Sequence, residues 1–189
     1  MQVARAEAAE RLAAMGLPKR RDEYWKWTDP ASLLSAEVAP AKALRVEKPI
    51  FSEIDKVLLV FTDGEFDAAA SDAPELAGVE ITRLADTVTG ASPWDALYGS
   101  LEAAAQAPVK RPLAALNTAQ ARDGLLIRVH GQVARPLHIR YRQTADNRDA
   151  MLHHFVKLEP GTELTLLETG SAAARANLVL EVDVGEGAR

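Results

Sequence analysis

The feature that most constrains the fold is a ladder of short segments that begins at Gly124 and continues to the end of the chain. Within each segment apolar residues alternate with neighbours on the opposite face, which is the period of two expected of a half-buried β-strand. The strand centres fall at Ile127, Ile139, Phe155, Leu166 and Leu180. Every second centre is separated by 25 to 28 residues, a regular step that predicts a flattened β-solenoid with two strands per turn.

In such a coil we expect the strands around Ile127, Phe155 and Leu180 to stack in parallel in one sheet, and those around Ile139 and Leu166 in another. The alternative is an antiparallel sandwich, whose strands recur roughly every 8 to 12 residues with turn signals between them.

The ladder stops at an amphipathic strand, Leu178 to Val184, followed by a glycine-rich turn. Repeat arrays need a terminal element with a polar outer face, and none follows. We therefore expect these 189 residues to be the first part of a longer chain. The exposed strand edge is expected to pair, which predicts self-association into a homo-oligomer.

The chain divides by pattern into residues 1–122, an N-terminal helical and mixed region, and residues 123–189, the ladder. Gln2 to Met15 has high helix propensity and is closed by Gly16-Leu17-Pro18. Lys56 to Phe61 is an apolar strand, and the following Asp63-Gly64 is a dipeptide that tight turns prefer.

The composition is 48% hydrophobic and 26% charged with a net charge of −5, as expected of a globular chain. The acidic balance argues against nucleic acid as a partner. No apolar run is long enough for a membrane span or a secretory signal, so we expect a cytoplasmic protein that does not bind membranes. The absence of cysteine excludes disulfides and thiolate ligation of zinc or an iron–sulfur cluster within these residues.

Four histidines are the strongest candidates for a catalytic or metal site. His153 and His154 are adjacent on a predicted strand and point to opposite faces, so they cannot both bind one metal ion without a distortion of the strand. His154 is expected in the core, and His130 and His138 at the surface. Carboxylates such as Glu181 are interpreted as solvated strand edges, and no phosphate-binding loop is present. We therefore predict no catalytic, cofactor-binding or metal residue, and no enzyme.

Lys19 to Trp27 holds two of the three tryptophans within a run of charge. We expect Trp25 and Trp27 to fix this segment to the body of the protein while its charges face water. The alternative is that the aromatic and basic residues stack on a nucleotide or a partner surface.

Several short motifs, in order along the chain, resemble the SufB/SufD family of iron–sulfur cluster assembly proteins. Each motif is short, but together they extend over nearly the whole chain. They are Gly16-Leu17-Pro18, Arg20-Arg21, Glu23-Tyr24-Trp25-Lys26-Trp27-Thr28, Asp63-Gly64-Glu65-Phe66, Leu116-Asn117-Thr118-Ala119, Asp123-Gly124, Arg135-Pro136-Leu137-His138 and Val184-Gly185-Glu186-Gly187-Ala188.

The resemblance implies a mainly β fold with an α-helical N-terminal region, in which residues 123–189 form the first coils of a right-handed parallel β-helix. It implies a non-catalytic scaffold that pairs with SufB and works with the ATPase SufC, in a complex that handles the cluster. Because the chain ends early in the expected β-helix, no functional residue of the family is carried over. A β-solenoid enzyme acting on carbohydrate and a protein-binding adaptor that uses the tryptophan segment are the competing hypotheses.

Overall fold

The computed structural model describes residues 1–43, 50–87 and 92–189. The first helix begins one residue into the chain and ends where Gly16 adopts a positive φ of 71° and donates its N–H to the Leu12 carbonyl. The α-helices are α1 Gln2–Met15, α2 Ala31–Leu34, α3 Ser100–Ala104 and α4 Pro112–Gln120, with short 3₁₀ turns at Glu23–Trp25 and Leu84–Thr87. None of these helices has the length and apolar character needed to cross a bilayer.

Eight strands lie in the described part of the chain, and most of them follow the alternating segments of the sequence. They are β1 Val57–Thr62, β2 Glu65–Phe66, β3 Val79–Arg83, β4 Leu125–Val129, β5 Leu137–Arg142, β6 Asp149–Leu158, β7 Leu166–Gly170 and β8 Arg175–Val184. Sheet A has the order β2-β1-β5-β7, and sheet B has the order β3-β4-β6-β8.

The predicted parallel pairing of the ladder strands is confirmed. In sheet B, Leu126 of β4 pairs with Phe155 of β6, and His154 pairs with Leu180 of β8. In sheet A, β5 pairs in parallel with β7 on one side and with β1 on the other. The division at residue 122 stays a prediction, and strands from both sides of it share each sheet.

The predicted fold class, a right-handed parallel β-helix or β-solenoid, is wrong, because both sheets are mixed and neither closes into a coil. Strand β2 runs antiparallel to β1, and β3 runs antiparallel to β4. The first reversal has a local cause, since Asp63 and Gly64 adopt positive φ values of 49° and 85° and fold the chain back on itself. The ladder spacing concerned only residues after 124 and carried no information on these N-terminal strands.

The main core lies between the two sheets and is built from the apolar rows of β1, β4, β5 and β6. The other face of sheet B packs against the helical layer, where Leu126 and Phe155 contact a cluster with Trp94 and Tyr98. Strands β4 and β6 of sheet B are therefore covered on both faces, and β6 is buried along most of its length.

Strand β8 departs from the predicted burial. Its apolar row, Leu178, Leu180, Val182 and Val184, is 40% to 54% exposed, whereas Glu181 is only 4% exposed. The apolar row continues the inner row of β6, but β8 is the edge strand and this row is left about half exposed. The opposite face of β8 meets helices α3 and α4, and this contact buries Glu181.

Candidate functional site

Two neighbouring histidines on β6 begin two separate buried polar clusters. His153 and His154 are 0% and 1% exposed and point to opposite faces of sheet B, as their adjacency on a strand requires. His153 faces the helical layer, and His154 faces the space between the sheets.

The His153 cluster joins His153 with Glu181, Asn117 and Asn177. Asn117 Nδ2 donates to the carbonyl oxygens of Leu152 and Asn177 at 3.0 and 2.8 Å, and this orients its Oδ1 toward His153. His153 Nδ1 therefore donates to Asn117 Oδ1 at 3.0 Å, while Nε2 lies 2.6 Å from Glu181 Oε1. Both ring nitrogens of His153 therefore face oxygen acceptors, and the ring is held between Asn117 and the buried carboxylate of Glu181.

Glu181 also holds the start of helix α3. Its two carboxylate oxygens accept the backbone N–H groups of Gly99, Leu101 and Glu102 at 2.7, 2.8 and 2.9 Å. Burial alone would raise the pKa of Glu181. The hydrogen bond from His153 and those from the backbone outweigh burial, and the pKa is lowered below its ordinary value.

Helix α1 is connected to the same cluster through α3 and the turn before it. The Tyr98 ring lies 4.4 Å from the His153 ring, and the Arg5 guanidinium lies 5.0 Å from the Tyr98 ring centroid. Arg11 donates to the buried carboxylate of Glu102 at 2.6 Å. The N-terminal helix is thereby linked by polar contacts to the edge strand of sheet B.

The His154 cluster begins between the sheets and ends at the exposed residue Glu168. The Leu125 N–H donates to His154 Nδ1 at 3.0 Å, so the ring proton resides on Nε2, which faces Tyr141 Oη at 3.1 Å. Tyr141 in turn donates to Glu168 Oε1 at 2.6 Å. Burial lowers the pKa of His154 to about 4, with the charge of His153 adding to the effect. Burial and the bond to Glu168 raise the pKa of Tyr141.

His138 is buried at 2% exposure, so its predicted place at the surface is wrong. Its Nε2 lies 2.7 Å from Thr169 Oγ1, and burial, followed by the charges of Lys56 and Arg140, lowers its pKa. It lines a cavity of about 480 Å³ on the outer face of sheet A. The described part of this lining carries the basic groups Lys56, Arg140 and Arg142, whereas the carbohydrate-enzyme hypothesis requires clustered carboxylates.

The tryptophan segment is only partly fixed to the body. Trp25 is half-buried, but Trp27 is 89% exposed, so the prediction that both tryptophans anchor the segment is wrong for Trp27. His130 is exposed as predicted.

These two clusters consist of side chains that bond to one another or to the backbone, an arrangement that fixes strands and helices relative to each other. Among the described residues, no group of three or more histidine, aspartate or glutamate side chains is placed to hold a metal ion. The absence of a catalytic, cofactor-binding or metal residue stays a prediction.

Comparison with known proteins assigns the family. The N-terminal region of SufBD proteins matches residues 1–139 of this chain. The chain belongs to the SufBD family. The iron–sulfur cluster assembly protein SufD of Escherichia coli (strain K12) is 33% identical over 76 residues, which cover 39% of this chain and 18% of that relative. The resemblance to the SufB/SufD family is thus confirmed.

In this SufBD chain, the His153 cluster and the residues that contact it come partly from the matched region and partly from the residues after it. Tyr98, Glu102 and Asn117 lie within residues 1–139, whereas His153 and Glu181 come after it. Sequence reasoning missed Glu181 because a carboxylate on the polar side of an amphipathic strand is most often solvated. Asn117 lies within one of the resemblance motifs, but nothing in the sequence indicated that its amide reaches β6.

Proposed function

We propose that this chain is a non-catalytic scaffold component of a Suf-type iron–sulfur cluster assembly complex, pairing with SufB and working with the ATPase SufC in the cytoplasm. The family match over residues 1–139 carries this proposal, together with the name of the SufD relative. The partners are those that the family resemblance implies. The alignment with the Escherichia coli SufD protein covers only 18% of the length of that relative.

The chemistry of the chain favours a scaffold over an enzyme. His153, His154 and Glu181 are buried and form hydrogen bonds within the protein. Their polar atoms therefore stabilise the fold and are not open to a substrate. These 189 residues contain no cysteine, so thiolate ligands for a cluster would come from outside them. A scaffold protein that positions its partners does not need residues of its own that bind the cluster.

Co-purification tests the proposal. The chain, carrying an affinity tag, is expressed with SufB and SufC from the same source, and the eluate is separated by size-exclusion chromatography. We expect SufB to co-elute with the chain in a constant ratio, and the ATPase rate of SufC to change when the chain is present. The matched control is the same experiment with a tagged β-protein of similar size from outside the family.

Elution of the chain alone, with SufB and SufC unaffected by it, would overturn the proposed pairing. ATP hydrolysis that requires the chain but persists without SufC would instead overturn the non-catalytic role.

A further inference from the structure

We propose that a second surface of this protein docks an acidic polypeptide segment of a partner protein. This aromatic–basic surface consists of residues 19–27 together with Lys110 and Arg111 at the start of helix α4. It goes beyond the proposed scaffold function, because it requires neither SufB nor SufC.

The surface presents aromatic side chains to solvent. Trp27 is 89% exposed and Tyr24 is 69% exposed. By contrast, Trp94, Tyr98 and Tyr141 pack in the core and are 5%, 1% and 5% exposed. Exposed tryptophan and tyrosine are the residue types most enriched at interface hot spots.

The backbone that carries these side chains is ordered by its own hydrogen bonds. Lys19 N–H bonds to the Asp22 carboxylate at 2.8 Å, Trp25 N–H to the Asp22 carbonyl at 2.8 Å, and Thr28 N–H to the Trp25 carbonyl at 3.0 Å. Pro18 and Pro30 are buried at the two ends of the segment. The aromatic side chains are therefore held on a short, turn-rich platform, which lowers the entropy lost on binding.

The charge of this surface is opposite to that of the whole chain. Residues 19–27 with 110–111 hold six basic and two acidic side chains, whereas the complete chain has a net charge of −5. Lys26 lies 3.6 Å from Glu23, but Arg20, Arg21, Lys110 and Arg111 make no ion pair with any described residue. Four cations are thus available to carboxylates from outside.

A cavity of about 310 Å³ lies within the surface. It is bounded by Tyr24 and Trp25 on one side and by residues 109–114 on the other. An apolar or aromatic side chain of the partner fits this space, while the surrounding arginines and lysines face acidic neighbours of that side chain.

The occupant is a polypeptide rather than a nucleic acid. Asp22 and Glu23 interrupt the basic residues, and the negative charge of the chain as a whole opposes a long polyanion. A short acidic segment with one apolar anchor matches both the limited extent of the positive patch and the cavity in it.

A defined peptide tests this proposal. The probe is a fluorescein-labelled peptide of alternating aspartate and glutamate with one central phenylalanine, and binding is followed by fluorescence anisotropy. The comparison probes are the same peptide with asparagine and glutamine in place of the acids, and a labelled oligothymidylate of equal length. We expect saturable binding of the acidic peptide that weakens as salt is raised, and no binding of the neutral peptide.

Matched variants locate the site. Trp27→Ala is expected to weaken binding by about tenfold or more, and Arg20→Gln by about two- to fivefold. Arg122→Gln is the control, since Arg122 is exposed just beyond the opposite end of α4. It should leave the affinity unchanged. Circular dichroism and thermal unfolding verify that each variant keeps the fold, which the exposure of Trp27 and Arg20 favours.

Three results would each overturn the proposal: no saturable binding of the acidic peptide at concentrations up to about 1 mM, equal binding of the neutral peptide, or tighter binding of oligothymidylate. If Arg122→Gln and Arg20→Gln weakened peptide binding equally, the proposal would also be contradicted, because the peptide would then be attracted by the overall charge and not by this surface. The binding assay contains neither SufB nor SufC. A negative result in it is therefore distinguishable from a failure of the scaffold proposal.

Discussion

Glu181 on the edge strand β8 accepts a hydrogen bond of 2.6 Å from His153 on β6, and both side chains are buried. Because Glu181 also accepts three backbone N–H groups at the start of α3, one carboxylate ties together a strand pair and the helical layer.

We expect Glu181→Gln to lower the free energy of unfolding by about 3 kcal/mol, because it removes the buried carboxylate that accepts three backbone N–H groups and faces His153. Asp183→Asn is the matched control on the same strand. Asp183 is half-exposed and pairs with Lys157 at 3.0 Å, so its loss should cost less than about 1 kcal/mol. Urea unfolding measures both values, and amide hydrogen exchange at Gly99 and Leu101 should accelerate only in Glu181→Gln. Equal destabilisation by the two variants would contradict this role for Glu181.

His154 makes stability depend on pH in a mildly acidic range. Its pKa in the folded protein is about 4, against an ordinary value of 6.5, so between these pH values the unfolded chain binds a proton that the folded chain does not. Stability therefore falls as pH falls, with a His154 contribution of about 2 kcal/mol between pH 7 and pH 5. In His154→Gln this contribution should disappear from urea titrations at the two pH values. His130→Gln, at an exposed histidine, should retain it, and an unchanged pH dependence in His154→Gln would refute the assignment.

Glu181 acts at lower pH and with the same sign. Because its pKa in the folded protein is depressed, the stability that it contributes is present at pH values above its ordinary pKa of 4.5 and is lost as pH falls below that value. Glu181→Gln should therefore flatten the stability curve below about pH 4.5 without changing the slope that His154 produces above it.

The inward-facing residues of β6 and of the edge strand β8 differ in how they tolerate charge. Leu152 is fully buried, and Leu152→Asp should cost about 4 kcal/mol or prevent folding, because an unpaired carboxylate would enter the core. Leu180 is 40% exposed, so Leu180→Asp should cost less than about 1 kcal/mol. Thermal and urea unfolding of the pair test the difference. Similar losses at both positions would mean that the β8 row is covered in solution.

The exposed β8 row also predicts self-association. An edge strand with a row of apolar side chains pairs readily with another copy. Light scattering across a concentration series should show a rising mean mass for the wild type, and Leu180→Asp should suppress the rise. A wild-type chain that remains monomeric at every concentration is the result that counts against an interacting edge.

We expect this polypeptide alone to retain no iron–sulfur cluster and to hydrolyse no ATP. Cluster ligation relies chiefly on cysteine thiolates, of which the chain has none, and phosphoryl transfer needs a phosphate-binding loop that the sequence lacks. Anaerobic reconstitution with iron and sulfide, followed by desalting, visible absorption and iron counting, tests the first expectation. A phosphate-release assay tests the second. A stoichiometric cluster after desalting would point to oxygen or histidine ligands and would refute the scaffold role.

The sequence by itself determined the strand ladder, because the alternation around Ile127, Phe155 and Leu180 is a local property and parallel neighbours must align their apolar rows. It also determined the opposite directions of His153 and His154, and its motifs indicated the family that the comparison confirmed.

Only the tertiary structure decided the antiparallel pairing of β3 with β4, the burial of Glu181 and the exposure of Trp27. A period of two says that one face of β8 differs from the other, but which face is covered depends on the helices and sheets that pack against it. Because α3 and α4 cover the polar face of β8 while its apolar face stays about half exposed, Glu181 is buried more deeply than the apolar residues of this strand. The carboxylate tolerates burial only because His153 and the start of α3 supply its hydrogen bonds, and those partners lie 28 and about 80 residues away in sequence.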